Sequence, residues 1–146
     1  MTILNKTVAA IILFFVSVLV LTRMDYIVHQ VLYNYGLVFS YAWASDYWIL
    51  YALCYQLVIL FLFLWTQNKK LLIATEAFVL TATQDLIFFG LWCGWFPTTD
   101  WVWMPQYVIL GFWSTQNQWL LSVVVNFTIL SYFTFLELKQ KKLKFP

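Results

Sequence analysis

Four long apolar runs limit what this chain can fold into: roughly Thr7–Leu21, Trp48–Trp65, Leu71–Trp92 and Trp119–Leu136. A helix that crosses about 30 Å of hydrocarbon at about 1.5 Å per residue needs about 20 apolar residues. The second, third and fourth runs reach that length. The first is short to Leu21, but Ile27, Val28, Val31, Leu32 and Tyr35 follow at i, i+1, i+4, i+5 and i+8, a helical stripe. Its helix is therefore expected to continue towards Gly36, either straight or bent near Thr22–Arg23 to lie in the membrane interface. The expected fold is an all-α integral membrane domain with four transmembrane helices, about 7–34, 48–66, 71–92 and 119–138. The two long connections are rich in Trp and Tyr and are expected to form interfacial caps, with a short helix at Gln106–Phe112. At 146 residues there is room for one such domain.

Charge placement orients these helices. Apolar residues make up 64% of the chain and charged residues only 10%, against about a quarter charged in soluble proteins. Every lysine lies at one set of run ends: Lys6, then Lys69 and Lys70, then Lys139, Lys141, Lys142 and Lys144. Arg23, His29, Asp25, Asp46 and Asp100 occupy the opposite connections. The positive-inside rule then predicts both termini in the cytoplasm of a multi-pass plasma-membrane protein. The net charge of +2 comes from lysines at the helix ends, so it reports orientation and not a nucleic-acid partner. No small-x-small cleavage pattern follows the first run, so it reads as an uncleaved signal anchor. The two cysteines, Cys54 and Cys93, form no C-x-x-C pair, which argues against quinone-linked disulfide chemistry.

The third run carries the chemistry. Asp85 lies about 21 Å along a helix entered at Leu71, deep in hydrocarbon, where an ionised carboxylate costs about 3 kcal/mol on insertion scales. Thr81 is one turn below it and Phe88 and Trp92 are above, while Glu76 falls half a turn out of phase. Counting inward from Trp48 and Trp119 places Gln56 and Asn126 near the depth of Asp85, and Gln118, Ser122 and Asn126 form a polar stripe at i, i+4. A polar layer of Gln56, Gln84, Asp85 and Asn126 beneath Trp92 is thus expected, capped by Asp25 and His29 if the first helix leans inward. The layer has two readings: hydrogen bonds that fix helix register, or a ligand site whose key acid, and candidate catalytic group, is Asp85. Asp25 and His29, also one turn apart, are weak candidates for a metal site, since zinc and copper usually gather two or more imidazole or thiolate ligands.

No catalytic triad, phosphate-binding glycine loop or H-E-x-x-H pattern is present, and no cofactor is implied. Small size and helix surfaces rich in Phe, Leu, Ile and Val lead to a non-catalytic subunit of a larger membrane complex, its partners being lipid and other membrane subunits. The first alternative is a membrane-embedded enzyme or binding protein for a lipophilic ligand, with Asp85 as the buried carboxylate. The second is a proton or cation transporter.

Overall fold

The structure, a computed structural model, describes residues 3–34, 41–97 and 113–144, with side chains placed for 6–31, 47, 49–97 and 113–136. The predicted helix at Gln106–Phe112, Asp100 and the side chain of Asp46 lie outside these residues. The described chain is helical, with no strand among the described residues: α1 is Ile3–Asn34, α2 Tyr41–Thr66, α3 Lys69–Leu80, α4 Thr83–Ile87 and α5 Thr115–Lys144. A π-helical turn, Phe88–Cys93, continues α4. Among the described residues, three helices are long and apolar enough to cross a membrane: the spans Lys6–Val31, Ile49–Thr66 and Thr115–Leu136. The pair Lys69–Leu80 and Thr83–Cys93, bent by 62°, makes a fourth if it is one span.

Of the two alternatives for the first helix, the continuous one is observed, with α1 a single helix through Thr22–Arg23. Two boundary expectations change. The second helix starts at Tyr41 rather than Trp48, so part of the first aromatic connection is helix. The third is broken rather than continuous.

Helix facing is set by stripes of buried residues. On α1 these are Ala10, Phe14, Val18, Thr22 and Asp25, and on α2 they are Tyr51, Tyr55, Ile59 and Leu62. Spacings of three and four keep each stripe on one side of its helix. The two stripes meet with Leu71 to form the larger core, against which Phe78 and Ile87 pack. A two-residue turn joins α2 to α3. Asn68 caps α3, its Oδ1 accepting from the Lys70 and Leu71 amides at 3.0 and 3.2 Å, and its Nδ2 donates to Thr7 Oγ1 at 3.4 Å. Such a cap satisfies amide donors that the first helical turn leaves open.

α5 is different. Among the described residues it packs on α3 and α4 and not on α1 or α2. Only 6% of its apolar window is buried, against 22% for α1 and for α2.

Candidate functional site

The break in the third span contains neither proline nor glycine. Thr81 ends α3, and Ala82 sits at φ 49°, ψ 35° in the left-handed region, which costs an L-residue about 1–2 kcal/mol. In an unbroken helix the Asp85 amide would donate to Thr81 O. It donates instead to Ala82 O at 3.1 Å, which frees the Thr81 carbonyl. Gln118 replaces the missing donor from α5: its Nε2 donates to Thr81 O at 2.6 Å and Ala82 O at 3.2 Å. Its Oε1 accepts from Trp113 Nε1 at 2.9 Å, and the side chain is fully buried. The Thr81 hydroxyl bonds back to Ala77 O at 2.7 Å, a contact that bends helices. Thr81 and Thr83 share a 2.9 Å hydroxyl contact, and Asn126 Nδ2 donates to Thr83 Oγ1 at 3.2 Å and to Ser122 O at 2.7 Å. The stripe Gln118, Ser122, Asn126 thus serves the broken backbone, supplying the partners that apolar surroundings cannot.

The opposite face of the bent segment carries a second polar group. Ile87 packs on the α1–α2 core, and Phe88 meets the rings of Tyr26 and His29 at centroid distances of 6.2 and 5.6 Å. Trp92 Nε1 donates to Thr22 Oγ1 at 3.0 Å, and that hydroxyl donates onward to Val18 O at 2.8 Å. Arg23 lies over the rings of Tyr26 and Trp92, at 5.0 and 4.9 Å from their centroids. The bent segment therefore crosses α1 over Thr22–His29.

Within that crossing Asp25 is buried. Its Oδ1 accepts from Tyr47 OH at 2.5 Å and lies 3.2 Å from His29 Nδ1, which also sits 2.9 Å from the Asp25 carbonyl. Both oxygens can only accept, so Nδ1 carries the imidazole proton. Burial, then the Asp25 carboxylate beside it, pushes the Tyr47 hydroxyl's pKa up, which keeps it a donor. Tyr47 stacks on Tyr51 at 6.0 Å, and the Tyr51 and Tyr55 hydroxyls share a 3.3 Å contact. Asp85 is half-buried, close enough to act electrostatically on His29, Tyr51 and Tyr55. Gln84 is buried one turn before Phe88 and beside the face of Ile87, so it too lies on the α1–α2 side. No described donor reaches its Oε1.

The single polar layer expected from depth counting is therefore divided. Gln56 does not share a level with Asp85: its Nε2 donates to Glu76 Oε2 at 3.1 Å, tying α2 to α3 on the lysine side of the break. Asn126 belongs to the Gln118 side. Thr81 turns towards α5, away from the Asp85 face it would share on a straight helix. The physical reason is the 62° bend, together with the earlier start of α2, which unties residue count from depth. Trp92, Asp25 and His29 do come together at the α1 crossing, with Asp85 within electrostatic reach of His29.

Tyr47, Tyr51 and Tyr55 were not expected in the site. Their i, i+4 spacing was a signal that could have found them. Asp25 and His29 bond each other, and among the described residues no group of three His, Cys, Asp or Glu could hold a metal ion. No protein-family model matches the chain, and comparison with curated proteins and with solved structures gives no match.

Proposed function

We propose that this protein is a membrane-embedded binding protein for a lipophilic ligand, taken up where the bent segment crosses α1. The observation that carries the reading is that two carboxylates from different helices, Asp25 and Asp85, both act electrostatically on the tyrosines of α2, Asp25 accepting directly from Tyr47. A carboxylate in hydrocarbon is costly and usually marks a use. Asp85 is only half-buried, so part of it stands at the protein surface, and with the bent pair taken as one span that level lies in hydrocarbon. Aromatic walls around a few polar groups are what a lipophilic ligand requires. Extraction of the protein from native membranes in mild detergent, followed by mass spectrometry of bound small molecules, tests the reading. A retained lipophilic compound that disappears in Asp85→Asn, with helicity intact, supports it. The same compound held equally by that variant overturns it.

In this reading the bent pair is one span, and both termini lie in the cytoplasm of the plasma membrane. The lysine asymmetry supports the orientation. Reporter fusions at each end check it, and reporters on opposite sides of the membrane refute it.

The bare surface of α5 favours a second reading, a non-catalytic subunit packed against partner helices. Trp119, Leu120, Val123, Val124, Phe127, Leu130 and Phe135 are all exposed there. Native-size measurement in mild detergent decides: a clean monomer with no co-purifying protein sinks it.

A further inference from the structure

Gln56 and Glu76 form a polar pair that the α1 crossing does not use. Gln56 Nε2 donates to Glu76 Oε2 at 3.1 Å, and the contact lies on the outside of the molecule, with Gln56 exposed and Glu76 half-buried. Gln56 stands near the middle of the apolar span Ile49–Thr66, about 10 Å from its nearer end. The hydrogen bond brings the Glu76 carboxyl group to the same level, whatever the course of the bent third span. With α2 crossing the membrane, both groups face hydrocarbon. Ionisable side chains at such depth almost always turn to protein or to a water-filled cavity.

The pair is also incomplete. Gln56 has a second N–H and its Oε1 to offer, and Glu76 has its Oε1. Among the described residues neither side chain has a hydrogen-bond partner other than the other one. One patch therefore holds a spare donor beside spare acceptors. An isologous interface requires that combination, because each half of every contact must come from the same surface. A partner helix bearing a cation would satisfy Glu76 but leave the Gln56 N–H in lipid. The surroundings allow close approach. Ala52, one turn before Gln56, is exposed, as are Leu60 one turn after it and Ile73 and Leu80 on either side of Glu76. A small residue beside a polar one is what lets two membrane helices meet and share a hydrogen bond.

We propose that the α2–α3 face around Gln56 and Glu76 is the interface of a twofold homodimer, in which the Gln56 amide of each copy donates to the Glu76 carboxyl group of the other. Each carboxyl group then lies between two amide donors, one from its own chain and one from the second copy. This interface is separate from the exposed surface of α5. It rests on α2 crossing the membrane and not on ligand binding at the α1 crossing.

The test uses the full chain labelled at its N-terminus with donor or acceptor fluorophores and mixed in a neutral maltoside detergent. Energy transfer is followed as the detergent-to-protein ratio is raised. Wild type is expected to show transfer that saturates at a dimer. Gln56→Leu and Glu76→Leu should each weaken association about tenfold, the effect of losing two reciprocal interhelical hydrogen bonds. Glu76→Gln, which can still accept from Gln56, should stay within about threefold of wild type. Ala52→Phe leaves the polar pair untouched and should weaken the dimer by bulk alone, so the proposal is tested even if a leucine variant does not fold. Circular dichroism checks the fold of each variant. A wild-type chain that stays monomeric at every ratio overturns the proposal and leaves the patch to lipid or to another protein. A dimer weakened by Phe127→Ala but by none of the α2–α3 variants places the interface on α5 and overturns it as well. Loss of the dimer in Glu76→Gln as severe as in Glu76→Leu overturns the hydrogen-bond pairing. Ligand retention is measured separately, so this interface and the ligand reading fail independently.

Discussion

The two faces of the bent segment handle polarity in opposite ways. On the α5 face, each group freed by the break has a partner from within the chain: Thr81 O and Ala82 O from Gln118, Thr83 from Asn126, Gln118 Oε1 from Trp113. On the α1–α2 face, by contrast, the Gln84 amide oxygen has no described donor. A closed network is what a structural joint needs, since every unmet group in hydrocarbon is a direct loss of stability. An open one is retained only where something else completes it. The joint and the candidate site therefore share one backbone segment while answering to different demands.

That contrast has measurable consequences. The largest is expected at Gln118→Leu, which leaves the Thr81 carbonyl and the Trp113 N–H unpaired in a buried place, while Ala82 O keeps the Asp85 amide. A loss on the order of 3 kcal/mol is expected, visible as a lower midpoint in denaturant or thermal unfolding in detergent. A loss below about 0.5 kcal/mol would show that the carbonyl finds another donor and that the joint is not closed. Next is Ala82→Gly, a change in the stabilising direction. Glycine tolerates φ 49° without the Cβ penalty, so unfolding of this variant should show a gain of about 1 kcal/mol or slightly less. Destabilisation instead would mean that the left-handed turn is not populated.

Smaller effects are expected on the other face. Trp92→Phe deletes the hydrogen bond to Thr22 and keeps an aromatic ring under Arg23. A cost of about 0.6 kcal/mol is expected, the usual worth of an interhelical hydrogen bond in membranes, because the Thr22 hydroxyl keeps Val18 O as its acceptor. Asp85→Asn should have the smallest effect on stability, within about 0.5 kcal/mol of wild type and in the stabilising direction, since it removes a charge from surroundings where an ionised carboxylate is costly. Its effect should appear in ligand retention. If Asp85→Asn unfolds the protein as severely as Gln118→Leu, the difference between the two faces disappears and both networks are structural.

Much of the fold was legible before any coordinates. Run lengths place the helices, and Asp85 stands out because a carboxylate in an apolar run is conspicuous. The break was not legible. Leu80-Thr81-Ala82-Thr83 holds no helix breaker, and its bend depends on Gln118, thirty-six residues beyond Ala82, offering an alternative donor. Depth counting failed for Gln56 for the same reason, since it assumes straight helices; Asn126 does reach the level of Thr83, two residues from Asp85, but on the α5 face. The tyrosines of α2 were passed over because Tyr47, Tyr51 and Tyr55 read as belt residues until Asp25 is found beside them.

By itself the sequence determined how many apolar segments exist, how long they are, and which of their ends carry lysine. Those properties follow from composition along one dimension, where each residue contributes independently. Which side of each helix faces inward was decided only by tertiary packing. A helix apolar all around has no amphipathic face to read, so stripes such as Ala10–Phe14–Val18–Thr22–Asp25 emerge only when another helix covers them. The two polar networks needed that step too. Their members come from separate helices, and a bend held by one glutamine determines which of them meet.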